Sequence, residues 1–143
     1  MTGKERVRPR PLMEFMDGTM VDDPQSQYTT ACCSLMGLHH ADQGIPCQDN
    51  SGCYSGRDYS IVVVSDGHSD HHCFRSDIGS TIAVATTLEA LRSKFDDGGL
   101  RSFLDDAQCD SEGQMDVLWK EILIAWKMRV KEYDNSHPVT DDE

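Results

Sequence analysis

Basic residues are scarce in this chain of 143 residues, which has 13 Lys and Arg against 25 Asp and Glu and a formal net charge of -12. A protein that binds a nucleic-acid backbone needs clustered positive charge to replace the counterions of the phosphates. The acidic excess therefore argues against a nucleic-acid partner. It is compatible with carboxylate ligands for a metal ion, although most of these side chains are expected on the solvated surface.

Long apolar runs are also lacking. No stretch approaches the roughly 20 apolar residues that are needed to span a bilayer. The basic residues near the start are not followed by the apolar segment and small-residue cleavage site of a secretory signal. We therefore expect a soluble, cytoplasmic protein with no membrane partner. The six cysteines are expected to be reduced thiols, because disulfides are rare in that compartment.

The first half of the chain contains two predicted strands. Residues 1–27 mix charge with Pro, Gly and Asp and are interpreted as a leader or irregular segment. Residues 28–143 are expected to form the domain. The β-branched and apolar run over 28–38 predicts a strand, and the polar, turn-forming stretch over 39–52 predicts a loop. Residues 61–64, Ile-Val-Val-Val, predict a buried strand that is covered on both faces.

The second half is predicted to be helical. A helix is expected to begin near Ser76, with Ser76 as its N-cap, and to end at the Asp-Asp-Gly-Gly sequence of residues 96–99. Apolar residues with helical spacing, Ile78, Ile82, Ala85, Leu88, Leu91 and Phe95, predict one face that packs on a sheet. A short helix is predicted over 100–106 and a longer one over 115–133, whose stripe is Leu118, Ile122, Trp126 and Val130. Trp119 and Trp126 are expected to pack, and residues 140–143 predict the capping box of one more helix.

Two short motifs, Gln48-Asp49 and Asp66-Gly67-His68, stand out as candidates for chemistry. Side chains at strand ends converge in clefts in layered folds, and each motif follows a predicted apolar strand, the first the strand over 28–38 and the second the strand over 61–64. Hard divalent cations such as Mg²⁺ and Mn²⁺ prefer oxygen ligands. Gly67 would permit close backbone approach, so that its carbonyl could also reach a metal. An Asp-Gly pair alone is more often a turn.

The combination of three blocks is more specific. Gly37 to Asp49 (GLHHADQGIPCQD), then IVVVSDGH, then FRSDIGSTIAV, closely resemble the bacterial branch of the type 2C protein phosphatases, also called PPM phosphatases. The resemblance covers about residues 31–140. It implies a four-layer αββα sandwich, an α/β arrangement of two antiparallel sheets between helices, of which this chain would hold only the N-terminal part.

The resemblance also implies roles for residues. Asp66 would bridge two metal ions, Mg²⁺ or Mn²⁺, and Gly67 would offer its carbonyl. Gln48-Asp49 matches the position where mainstream members carry Glu-Asp and this branch commonly carries Gln-Asp. Asp49 would hold a metal or metal-bound water, and His40 would contact phosphate or water. His68 would either protonate the leaving oxygen or hydrogen-bond the motif loop.

The activity implied is hydrolysis of phosphoserine or phosphothreonine in protein substrates by a metal-activated water. Two departures from the family pattern affect this expectation. The family usually continues D-G-H-G-S, whereas this chain has Ser69 and Asp70 after His68. The family's two later Asp ligands lie in a C-terminal half that this chain lacks, so weak metal binding and weak catalysis are expected.

Two alternatives stay open. The first is a non-catalytic pseudo-phosphatase or interaction module. The second is a zinc module. His68, His71, His72 and Cys73 lie close together, and Cys32, Cys33, His39, His40, Cys47 and Cys53 precede them. Structural zinc sites usually pair two Cys-x2-4-Cys motifs, a spacing that is not found here.

Overall fold

The computed structural model describes residues 22–68 and 71–139. In chain order, these form helix α1 (Leu38–Gln43), strands β1 (Asn50–Ser55) and β2 (Ser60–Ser65), and helices α2 (Ser76–Phe95) and α3 (Gly99–Ser136). Short 3-10 turns lie at His71–Cys73 and Asp96–Gly98. The fold class is therefore mixed α and β, with one two-stranded sheet in the described part. None of the helices described is both long enough and apolar enough to cross a membrane.

Strands β1 and β2 form an antiparallel hairpin whose register runs from Asn50 opposite Ser65 to Ser55 opposite Ser60. Its tight turn is closed by the Gly56 N–H, which donates to the Tyr59 carbonyl at 2.9 Å. Successive side chains of a strand point to opposite faces, so Tyr54 and Ile61 are buried on one face.

The opposite face of β2 differs from the prediction. Val62 and Val64 are exposed, so the expectation that this strand is covered on both faces is wrong for the described chain. Among the described elements, α2 alone packs on the hairpin through an extended apolar contact, and it covers the face of Tyr54 and Ile61.

Helix α2 lies between the hairpin and α3. Val84 and Leu88 pack against Tyr54 and Ile61. The helix comes so close to β1 that a Cβ added at Gly52 would lie 2.6 Å from a methyl of Val84. The prediction that one face of this helix packs on a sheet is confirmed for Leu88 and Leu91, whereas Val84, which also packs there, was not among the predicted residues. The predicted N-cap is wrong, because Arg75 is the N-cap and Ser76 is already helical.

Helix α3 covers the far side of α2. Phe103, Leu118 and Ile122 are buried there against partly buried α2 side chains, Ala90, Leu91 and Phe95. The helix breaks at Asp110, which has φ -154° and ψ 74°. The Asp110 carboxylate accepts the Gly113 N–H at 3.0 Å, so it caps the second part of the helix. This break separates the two helices that the sequence predicts.

Two polar side chains also join α3 to α2. Trp126 donates its indole N–H to the Gly79 carbonyl at 3.1 Å, which fits its predicted packing role. Arg129 donates to the Thr86 hydroxyl at 3.1 Å and to the Glu89 carboxylate. Trp119 is exposed, so the prediction that it packs is wrong, because it lies off the stripe that faces α2.

Residues 22–37 form neither helix nor strand, so the predicted strand over 28–38 is wrong. The predicted loop over 39–52 is also wrong in part, since it contains α1 and the start of β1. The end of the leader predicted over 1–27 is attached to the hairpin, because the Asp23 N–H donates to the Ser55 carbonyl at 2.9 Å. The predicted capping box at 140–143 and residues 1–21 lie outside the described residues.

Candidate metal centre

The open end of the hairpin brings the two predicted motifs together. Because Asn50 pairs with Ser65 in the antiparallel register, Asp49 and Asp66 occupy the next opposed positions. The Asp49 carboxylate accepts the Gly67 N–H at 3.0 Å. The acidic residue before β1 therefore lies beside the Asp-Gly pair after β2, as a shared cation site requires. The Asp66 side chain is exposed, so its oxygens are accessible from solvent.

Gly67 is needed here because its backbone packs on Gln48. A Cβ added at Gly67 would lie 2.7 Å from both the carbonyl carbon and the Cβ of Gln48. The φ of Gly67 is not positive. Lack of space, and not backbone conformation, therefore favours glycine at this position.

Gln48 presents an unusual buried polar group. Its residue is 7% exposed, and its side-chain oxygen is buried with no hydrogen-bond partner among the described residues. An unpaired buried acceptor costs about 1–3 kcal/mol. An amide oxygen in this situation is suited to accept from water or to coordinate a cation.

The loop after Gly67 is fixed by α2. The His68 N–H donates to the Ser76 hydroxyl, while the His68 side chain is exposed. At the other strand, Asn50 donates its side-chain amide to the Thr81 hydroxyl of α2 at 2.8 Å. Sequence reasoning missed the positioning contacts of Asn50 and Thr81 and assigned Ser76 a different role. The signal in the sequence that could have indicated this contact is the polar side chain of Asn50 at the end of a strand.

The remaining predicted residues are less directly tied to this end of the hairpin. His40 lies in α1, and its side chain is half-buried. Helix α1 ends at Gln43 and is capped by Gly44, which has φ 69°. The assignment of His40 to phosphate or water contact stays a prediction. Ser69, where the family usually has a second glycine, lies outside the described residues.

The groups present fit a hard divalent ion in type, and their small number fits an ion that keeps several waters. The candidate ligands are all oxygens: the carboxylates of Asp66 and Asp49, the carbonyl of Gly67 and the amide oxygen of Gln48. Within the described ranges, no three His, Cys, Asp or Glu side chains group so that they could hold a metal ion. Mg²⁺ commonly uses one or two protein carboxylates and keeps several waters, so two carboxylates are compatible with it.

The zinc alternative gains no support from this geometry. Structural zinc sites use four nitrogen or sulfur ligands, and the side chains that the structure describes form no such group. The side chains of His39 and His71 are not among those described. Five cysteines of the described residues have free thiols: Cys32, Cys33, Cys47, Cys53 and Cys73.

Comparison with known proteins gives one match. A protein-family model described as Protein phosphatase 2C matches residues 36–141, which is well over half of the chain. No curated protein and no solved structure gives a match. The matched range contains β1, β2, α2 and α3, together with both motifs of the candidate metal centre.

Proposed function

The chain belongs to the protein phosphatase 2C family, and from this premise we propose that it serves the metal-dependent hydrolysis of phosphoserine and phosphothreonine in cytoplasmic proteins. The observation that carries the proposal is the contact between the Asp49 carboxylate and the Gly67 N–H at 3.0 Å. It supports a common site for the two motifs that precede β1 and follow β2. The four-layer sandwich of the family is part of the proposal.

In this proposal, Asp66 and the Gly67 carbonyl bind Mg²⁺ or Mn²⁺ directly, and Asp49 and Gln48 bind the ion or its waters. The bound ion would lower the pKa of a water and neutralise phosphate oxygens. Gly67 holds the Asp49 carboxylate in place through its N–H. The exposed imidazole of His68 is the proposed proton donor to the leaving oxygen, since histidine is the side chain that most often serves as a general acid.

We expect turnover by this chain alone to be weak. The described residues provide two carboxylates at the site and no group of three metal-binding side chains. Fewer protein ligands leave more of the coordination to water, so the metal is held less tightly. The same observation favours the second candidate function, a non-catalytic module that binds phosphorylated proteins.

A matched pair of variants tests the proposal. Asp66→Asn removes one charge at the open end of the hairpin, and Asp58→Asn removes one charge in the turn at its opposite end. Release of phosphate from a phosphoserine peptide is measured with and without Mn²⁺. We expect Mn²⁺-stimulated release by the wild type and by Asp58→Asn, and none by Asp66→Asn.

The outcomes separate the two candidates. Equal Mn²⁺-stimulated release by Asp66→Asn and the wild type would show that the proposed centre is not where the chemistry occurs. No release by the wild type, together with Mn²⁺-dependent binding of the same peptide, would favour the non-catalytic module. Each variant is first compared with the wild type by circular dichroism, so that loss of fold is not mistaken for loss of function.

A further inference from the structure

Two short sequences with the same pattern lie face to face in the structure. Residues 30–34 are Thr-Ala-Cys-Cys-Ser, and residues 51–55, within β1, are Ser-Gly-Cys-Tyr-Ser. The Thr30 and Ser55 hydroxyls are 2.9 Å apart. The Ser34 and Ser51 hydroxyls are 3.0 Å apart. The segment of residues 30–34 therefore runs antiparallel to β1 across the face opposite α2.

This alignment sets Cys32 against Cys53. They are the middle positions of the two patterns, flanked on both sides by paired hydroxyls. The sulfur of cysteine occupies the same place on Cβ as the hydroxyl oxygen of serine. The two thiols therefore lie opposite each other between the two hydroxyl pairs. Both residues are partly buried and both are free thiols. The pKa of the Cys32 thiol is raised, first by burial and next by the neighbouring Cys53 thiol. This agrees with the closeness of the two sulfurs, and it makes Cys32 the thiol that attacks second, since a raised pKa disfavours the thiolate.

We propose that Cys32 and Cys53 are an oxidation site, at which a peroxide converts the two thiols into a disulfide that links residues 30–34 to β1. One thiolate attacks the peroxide, its sulfur becomes a sulfenic acid, the O–O bond breaks and one water leaves. The second thiol attacks the sulfenic sulfur, the S–S bond forms and a second water leaves. The two thiols together lose two protons and two electrons, and the peroxide takes up both as it becomes two waters. A thiol reductant reverses the link.

The link would enclose part of the candidate metal centre in the loop that it closes. The loop between Cys32 and Cys53 contains α1 and the Gln48-Asp49 motif. A disulfide restricts such a loop mainly by removing conformations of the unfolded chain. Formation of the disulfide itself does not depend on the proposed phosphatase activity, so the two can fail separately.

The experiment maps the link directly. The full chain is treated with hydrogen peroxide, its remaining thiols are alkylated, and it is cleaved before aspartates without reduction. This cleavage puts Cys32 and Cys33 in fragment 23–41, Cys47 in 42–48 and Cys53 in 49–57. We expect fragments 23–41 and 49–57 to be joined in the monomeric protein and to separate on reduction, as seen by mass spectrometry.

Variants identify the partner thiol. Cys33 is exposed and adjacent to Cys32, so Cys33→Ser is the matched control and should retain the joined fragments. Cys32→Ser and Cys53→Ser should lose them. Persistence of the link in Cys32→Ser would overturn the proposal, as would oxidation that yields only sulfenic acid or links between chains.

A measurement on the wild type alone covers the case in which a variant fails to fold. The same oxidation in concentrated urea should reduce the share of Cys53 that is joined to fragment 23–41, because an unfolded chain also lets Cys53 pair with Cys47. An equal share in urea and in buffer would show that the fold does not direct the pairing, and would overturn the proposal.

Discussion

Replacing Gly67 with alanine tests the close approach on which the candidate metal centre is built. The new Cβ would lie 2.7 Å from two carbon atoms of Gln48, about 1 Å inside the usual separation of nonbonded carbons. Gln48 is 7% exposed, so it has little space into which to move. Forcing an extra carbon into a packed site costs about 1–3 kcal/mol. The Gly67 N–H would also be displaced from the Asp49 carboxylate.

The assay is urea unfolding followed by circular dichroism. A loss of about 1–3 kcal/mol corresponds to a fall of about 1 M in the urea midpoint at an ordinary slope. Gly79→Ala is the matched control, because nothing lies within 4 Å of a Cβ added there, in the interior of α2. That control should be neutral or stabilising by up to about 1 kcal/mol. Equal midpoints for the two variants would refute the reasoning.

The remaining predictions concern the core and its polar contacts. Ile82→Ala should cost about 2–5 kcal/mol, whereas Ile124→Ala should cost under about 0.5 kcal/mol, because Ile82 is 1% and Ile124 59% exposed; similar urea midpoints would contradict this. Arg129→Met removes the two hydrogen bonds that Arg129 donates to Thr86 and Glu89 of α2 and should lower the free energy of unfolding by about 1–2 kcal/mol. An unchanged melting temperature would show that these two bonds do not stabilise the pair of helices. Tyr59 donates its hydroxyl to Asp96, and burial, followed by that carboxylate, raises the pKa of Tyr59 above its ordinary value of 10.0. As the pH rises, the unfolded chain therefore loses the Tyr59 proton at a lower pH than the folded chain. The extra free energy of unfolding that the wild type has over Tyr59→Phe should be present below about pH 10 and should be lost as the pH rises further. Urea unfolding from about pH 8 to 11 measures this difference, and a constant difference would contradict it.

The elements that could be predicted from the sequence are those with a clear apolar period. The Ile-Val-Val-Val run predicts β2 because it has no polar interruption. The stripe from Leu118 to Val130 predicts the second part of α3 because its apolar residues recur at helical spacing. Strand β1 could not be predicted, because Asn50–Ser55 is mostly polar. Its outer side chains face residues 30–34 and not an apolar layer, so no alternation of apolar residues marks the strand.

The wrong strand over 28–38 has a related cause. Its β-branched and cysteine residues suit a strand, but Thr30 and Ser34 form side-chain hydrogen bonds with serine hydroxyls of β1. No backbone ladder with β1 is formed in the described chain. Hydroxyl pairs of this kind depend on which segment lies opposite, and the sequence alone does not indicate that.

The candidate metal centre was only partly predictable. Resemblance to a family selected Asp49 and Asp66, and the prediction that each follows a strand supported both. That prediction is wrong for Asp49, which precedes β1 and follows no strand in the described residues. The register that makes them neighbours depends on β1, which was not predicted. The buried amide oxygen of Gln48 was also not foreseeable, because its burial without a partner depends on which residues pack around it in the fold.

The location of bound Mn²⁺ tests the central claim most directly. A chain with a net charge of -12 attracts divalent ions over its whole surface, so affinity alone does not identify a site. Paramagnetic Mn²⁺ broadens the NMR signals of nearby amides, and a titration of the labelled chain therefore reports where the ion binds first. We predict that the amides of Asp49, Gly67 and His68 broaden at the lowest Mn²⁺ concentration, before those of Asp105 and Asp106 in α3. Earlier broadening in α3, or equal broadening at both places, would contradict a metal centre at the open end of the hairpin.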